Sequence, residues 1–179
     1  MRHLTEIPIR TPTGWCAGMP HITLMRLYAR ENHEPQLVDA LKGISSRCSP
    51  FEVSTAGFDT FSDTPNAPQD ILVLRVQKSH ALARLHERLI NTLSPFIDRS
   101  ETTAYVLNDP NQRHACERYG SPFYGTSYAP HITLARIDPT DIVVPAAIAT
   151  HTWTAQDMRL SKKIGEHWVA VRRFPFTGS

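Results

Sequence analysis

The sequence predicts a duplicated α+β fold, and three observations carry that prediction. Apolar residues switch between strand spacing and helical spacing along the chain. The octapeptide Pro20-His21-Ile22-Thr23-Leu24-Met25-Arg26-Leu27 returns as Pro130-His131-Ile132-Thr133-Leu134-Ala135-Arg136-Ile137, identical at six of eight positions and Leu against Ile at the last. No linker, low-complexity tract or charge run divides the 179 residues. One domain over residues 1–179, made of two pseudo-symmetric lobes, is therefore expected. The copies lie 110 positions apart (21 to 131), beyond the roughly 20–50-residue period of solenoids. They mark one motif per half of the chain.

Each element follows from local pattern. Leu4, Ile7 and Ile9 alternate loosely and predict a strand, placed at an edge because of Pro8. Residues 11–18 read as loop, and the first octapeptide as a strand. Glu34-Pro35 opens a helix to about Arg47, with Leu37, Leu41, Ile44 and Cys48 on one face, stopped by Ser49-Pro50. Phe51–Ser54 and Gly57–Phe61 predict a strand kinked at Gly57, and 62–69 a proline-rich turn. Ile71–Val76 is the clearest strand. A helix from about His80 to Leu93 carries Leu82, Leu85, Leu89 and Leu93 on one face, with Ser79 as its N-cap. Residues 101–107 suggest a short strand, and 109–119 a polar helix stopped by Gly120. The second octapeptide lies in a strand over 128–137. Strands over 151–160 and 167–174 flank a turn at Gly165.

Composition excludes several classes. Hydrophobic residues make up 41% and charged residues 20%, as in ordinary globular proteins. No apolar run reaches the roughly 20 residues of a membrane span. The N-terminal residues lack a signal-peptide h-region, so a cytoplasmic location is expected. A net charge of +2 and a pI near 8.5 suit an anionic substrate but not the basic stripe of a duplex-DNA binder. Cys16, Cys48 and Cys116 form no CxxC pair or zinc spacing and read as reduced thiols. Nothing in the sequence sets an oligomeric state.

The repeated motif carries the chemistry. In a strand, His21 and Thr23 point one way and Ile22 and Leu24 the other. The apolar pair packs inward, and packing demands no His-x-Thr pair opposite, still less the same pair twice. If two lobes meet across a pseudo-twofold axis, His21, Thr23, His131 and Thr133 converge. Histidine titrates near pH 6.5, so one ring can take a proton from an attacking hydroxyl or water while the other protonates the leaving oxygen. Each such group contributes on the order of 10²–10⁴-fold. Threonine hydroxyls can hydrogen-bond non-bridging phosphate oxygens. No carboxylate or third histidine stands at ligand spacing, so no metal site is assigned.

The remaining candidates are weaker. By strand parity Arg26 and Arg136 face away from their histidines and read as strand-end arginines paired with carboxylates. Trp15, Phe123, Tyr124, Tyr128 and Trp153 are candidates for stacking on a base, foremost Tyr124 and Tyr128, in and beside the loop before the second motif. Trp168 and Phe174 read as ordinary packing. Lys162 and Lys163 read as a solvated turn, and His80, His86 and His114 as helix residues without a special role.

These paired motifs resemble those of the two-histidine (2H) phosphoesterase superfamily. Tyr128-Ala129-Pro130-His131-Ile132-Thr133-Leu134-Ala135-Arg136 is especially similar to the second motif of bacterial 2′-5′ RNA ligase-like proteins. Trp168-Val169-Ala170-Val171 resembles the last strand of the cyclic phosphodiesterases. The resemblance covers most of residues 19–176. It implies a bilobal α+β fold, with two antiparallel sheets, helices outside and a central groove carrying the motifs. It implies metal-independent opening of 2′,3′-cyclic phosphates or cleavage of related nucleotide or RNA-end phosphodiesters, with no cofactor. The family's catalytic pair corresponds to His21 and His131, and its phosphate-binding hydroxyls to Thr23 and Thr133. One departure bears on substrate choice: family members carry a strand and a full helix before the first motif, and only twenty residues precede His21 here. The rival reading is a nucleotide- or RNA-binding module without turnover. An ATP-dependent ligase is disfavoured, because no G-x-x-x-x-G-K-[ST] loop is present.

Overall fold

The computed structural model describes residues 2–10, 20–62, 70–98, 110–119, 121–137, 150–165 and 167–178. The expected strand at 101–107, the loops at 11–18 and 63–69, and Cys16 lie outside them. Eight strands appear: β1 (Arg2–Arg10), β2 (His21–Arg30), β3 (Phe51–Ser62), β4 (Asp70–Val76), β5 (His131–Ile137), β6 (Thr152–Ala155), β7 (Asp157–Ile164) and β8 (His167–Pro175). Three α-helices accompany them: α1 (Glu34–Ser45), α2 (His80–Leu93) and α3 (Pro110–Tyr119). Ser79 caps α2 as expected, accepting the Leu82 N–H at 3.2 Å.

All strand pairings are antiparallel, in the order β6-β3-β4-β5-β2-β1-β7-β8. In place of the two expected sheets, the strands join in one hydrogen-bonded series. Four strands lie on each side of a seam between β5 and β2, which meet through the single pair Ile22–Ile132. The late strand expected over 151–160 is two strands divided at Gln156, β6 pairing with β3 and β7 with β1. That division requires curvature. Six strand steps of about 4.8 Å would hold β6 and β7 nearly 30 Å apart in a flat sheet. Gln156 alone bridges about 7 Å at most. The sheet therefore curls until its β6 end approaches β7.

One apolar cluster draws on both halves and both long helices. It joins Ile22, Leu24 and Met25 of β2, Ile132 of β5, Val53 of β3 and Met158 of β7 to Leu41 of α1 and Leu82 and Leu89 of α2. Phe176 seals its end, stacked on Phe51 at 5.7 Å.

Two departures from regular strands matter for the site. β1 is an inner strand between β2 and β7, not an edge. Pro8 is tolerated there because the register with β2 shifts between Ile7 and Pro8, and β7 pairs only at Thr5 and Glu6. The shift is a bulge: Met25 pairs with Ile7 and Thr23 with Pro8, so Leu24 is the extra residue. β5 repeats it at Leu134, passed over between Thr133–Val73 and Ala135–Leu72. A bulge puts two successive side chains on one side and reverses the alternation beyond it. Leu24 and Met25 are accordingly both buried.

Candidate active site

The seam builds the site. Ile22 and Ile132 face each other across it with 0% and 1% exposure. Their neighbours in sequence point to the opposite face. Antiparallel register about that pair sets His21 beside Thr133 and Thr23 beside His131. All four motif side chains therefore share one face of the sheet at its centre. His21, Thr23 and His131 are half-buried and Thr133 is exposed.

The two histidines are held differently. His131 Nδ1 lies 2.9 Å from the Ala129 carbonyl oxygen. A carbonyl only accepts, so Nδ1 carries the hydrogen and Nε2 the lone pair. The ring meets Phe61 edge-on at 4.9 Å. Burial pushes the His131 pKa below the ordinary range; the Ala129 hydrogen bond opposes this, while the charges of Arg26 and His21 add to it and that of Glu6 opposes it. His21 Nε2 instead faces a carboxylate, Glu6 Oε1, at 3.4 Å.

Local sequence pattern does not single out Glu6. It sits on β1 opposite Arg26, with 1% exposure. The same oxygen, Oε1, accepts hydrogen bonds from His21 Nε2, from Thr23 Oγ1 and from Arg26 Nη2, the last at 3.1 Å. Burial alone would raise its pKa. The His21 hydrogen bond, the charges of His21 and Arg26, and the Thr23 hydroxyl outweigh burial and bring it to about 2. The period-two pattern in residues 2–10 gives no hint, because the acidic residue reads as the solvent side of an edge strand.

Arg26 departs from the expected parity. The bulge at Leu24 turns its exposed side chain onto the histidine face, where it reaches Glu6 and lies 5.3 Å from the centre of the Trp168 ring. Trp168, expected to be ordinary packing, thereby joins the rim of the site. On the other side of the seam Arg75 is the cross-strand partner of His131 and is paired with Asp59.

Trp15 lies outside the described residues, Phe123 is exposed in the turn before β5, and the other three aromatic candidates lie away from the histidine face. Tyr124 and Tyr128 are buried, at 5% and 7% exposure. The Tyr124 hydroxyl donates to the Arg26 carbonyl and accepts from the Arg26 N–H. The Tyr128 hydroxyl donates to the Thr23 carbonyl at 3.2 Å, and its ring stacks on His86 with centroids 3.7 Å apart. They brace the backbone of β2 from beneath and present no open face to a base. Trp153 pairs with buried Val53 across β6 and β3 and packs against the core. It is three strands from β5, about 14 Å. Lys162 lies within β7, not in a turn, and is paired with Glu34.

His86 is the other residue the sequence underrates. It is 1% exposed. Nδ1 lies 2.7 Å from the carbonyl oxygen of the bulge residue Leu24, and Nε2 accepts the Gly125 N–H at 3.2 Å. Both ring nitrogens are thus committed in the neutral form. Burial lowers its pKa to about 4, helped by Lys78 and opposed by the Leu24 bond.

The profile of the 2′-5′ RNA ligase superfamily matches residues 17–163. The chain belongs to this family of two-histidine phosphoesterases. Its fold is that of solved structures across almost the whole chain. TT0787 of Thermus thermophilus superposes with a TM-score of 0.69 at 18% identity, covering 98% of both chains. Escherichia coli LigT complexed with 3′-AMP gives 0.64 at 15%, covering 99% of both. Kluyveromyces marxianus Usb1 gives 0.52 at 9%, covering 97% of both. No curated protein matches the chain in sequence. No described helix of this 2H protein is long and apolar enough to cross a membrane.

Proposed function

We propose that this 2H phosphoesterase is a metal-independent phosphodiesterase acting on a 2′,3′-cyclic phosphate or a related nucleotide or RNA-end phosphodiester. The observation that carries the reading is the Ile22–Ile132 pair, which brings both His-x-Thr motifs onto one face in antiparallel register. The LigT structure with 3′-AMP supports a nucleotide as ligand. His131, biased towards its neutral form with the Nε2 lone pair available, is the base; His21, beside an ionised carboxylate, is the acid. Water attacks phosphorus and gives its proton to His131. The bond from phosphorus to one ribose oxygen breaks, and that oxygen takes the His21 proton. One water is consumed and a phosphomonoester is left. Thr133 hydrogen-bonds a non-bridging oxygen, and Thr23 does so when its single hydroxyl hydrogen turns from Glu6 Oε1 to the phosphate.

The test is a panel of 2′,3′-cyclic mononucleotides, ADP-ribose cyclic phosphate, 2′-5′ dinucleotides and cyclic oligonucleotides, with products identified. His21→Ala and His131→Ala each abolish most turnover and combine far from additively. Thr23→Ala and Thr133→Ala each cost on the order of 10²-fold. EDTA leaves turnover intact. The pH–rate profile is a bell whose acid limb, set by His131, lies below the ordinary histidine range. Nucleotide binding without turnover by the folded wild-type protein would replace this reading with a binding module.

A further inference from the structure

The His-x-Thr motif accounts for two of the three side chains gathered on the oxygen of Glu6 and for nothing of Glu6 itself. We propose that Glu6 is the positioning residue of this site: its buried carboxylate fixes the His21 ring, ties Thr23 and Arg26 to the same oxygen, and keeps the first histidine as the proton donor. This role rests on the phosphodiesterase reading above and deepens it.

Location sets the first constraint. A carboxylate with 1% exposure on an inner strand has no access to water, and a buried charge is tolerated only when it is paired and hydrogen-bonded. Glu6 meets that condition by taking three donors at once, two of them motif residues and the third turned towards it by the Leu24 bulge. An ionised carboxylate only accepts, so Nε2 of His21 must carry hydrogen whenever the contact is made. The imidazolium that favours the carboxylate is favoured by it in return, since coupling between two sites is reciprocal. His131 meets a peptide carbonyl at its other ring nitrogen, Nδ1, and a carbonyl orients a ring without supplying charge. Two motifs identical around their histidines thus differ in proton preference, because Glu6 favours the imidazolium at His21 while burial favours the neutral ring at His131.

The charged and titratable groups facing this cluster among the described residues are few. His21 and Arg26 come from β2, and His131 from β5. Arg75 of β4, on the far side of His131, is paired with Asp59 of β3. From β7, Ser161 stands opposite Glu6 and Lys162 is engaged with Glu34 of α1. From β8, Trp168 lies by Arg26. Among the described residues, the carboxylate at His21 is that of Glu6.

Glu6→Gln keeps the shape and removes the charge, and Glu6→Asp keeps the charge. In Glu6→Gln, kcat should fall by about 10²- to 10⁴-fold, the larger figure being that for a triad histidine that loses its orienting carboxylate, while KM changes less than about threefold. The alkaline limb of kcat/KM should move down by about one pH unit, and Glu6→Asp should restore it. Ring-nitrogen NMR titration should show the His21 midpoint falling by more than the His131 midpoint. A measurement on the unaltered protein removes any dependence on how the variants fold: the Glu6 side-chain carboxyl carbon should show an inflection at the His21 midpoint that vanishes in His21→Ala. Absence of that inflection, or a Glu6→Gln protein that only melts earlier while both midpoints stay put, overturns the proposal. The NMR measurements need no substrate. Coupling without turnover would therefore count against the phosphodiesterase reading alone, and turnover without coupling against Glu6 alone.

Discussion

At His21 the ring faces a carboxylate; at His131 it faces a peptide carbonyl. The carboxylate breaks the symmetry of the repeated motif, and it also ties the site to stability. Glu6 has an ordinary carboxyl value of 4.5 when unfolded and about 2 when folded. The folded state therefore holds the ionised form more tightly. Its contribution is present above pH 4.5 and is lost as pH falls through about 2, below which both states are protonated. The difference corresponds to about 3 kcal/mol. Urea denaturation from pH 5 to pH 2 should show this slope in the wild type, and Glu6→Gln should flatten it. A slope as steep in the variant would assign the acid sensitivity to other carboxylates.

At the scale of elements, α2 and the turn before β5 hold β2 in its bulged shape. His86 reaches from the helix to the Leu24 carbonyl and receives the Gly125 N–H, while Tyr124 and Tyr128 take the backbone at Arg26 and Thr23. His86 stays neutral when folded, with a pKa of about 4 against 6.5 unfolded. The unfolded chain thus binds the proton first, and stability falls as pH drops from 6.5 to about 4. His86→Phe should cost about 2–3 kcal/mol by stranding the Leu24 carbonyl and the Gly125 N–H, and should remove that slope. Thermal melts between pH 7 and pH 4 check both effects; a slope unchanged in His86→Phe would sink the assignment. The elements themselves are legible in sequence, since α1, α2, α3, β3 and the two motif strands follow from spacing and caps. The bulge is not. It depends on pairing β2 with β1, a long-range register that local alternation does not encode. For that reason local pattern puts Arg26 on the wrong face, passes over Glu6, and offers the two tyrosines as a stacking surface when their hydroxyls are needed underneath.

For the whole molecule, the strand junction with the fewest pairs among the described residues lies under the two histidines. Among the described residues, every other strand junction except that of β1 with β7 is a ladder of several pairs, whereas β2 and β5 meet at Ile22–Ile132 alone. The face that carries both His-x-Thr motifs sits on this seam, so the relative placement of His21 and His131 depends on how well two isoleucines pack against the core below. A misplacement of about 1 Å can cost on the order of 10²-fold in rate. Ile132→Ala should destabilise by about 2–5 kcal/mol, and Leu89→Ala, an equally buried change on α2, by a similar amount. Their effects on catalysis should differ. Well below both melting temperatures, Ile132→Ala should lower kcat at least about tenfold, because the seam repacks, while Leu89→Ala should stay within about threefold of the wild type. Ile132→Val, which removes one methylene, should cost about 1 kcal/mol and leave kcat nearly intact. If the two alanine variants lose the same activity at matched stability, the seam is no more than ordinary core, and the placement of the histidines must be fixed by the strands on either side of it.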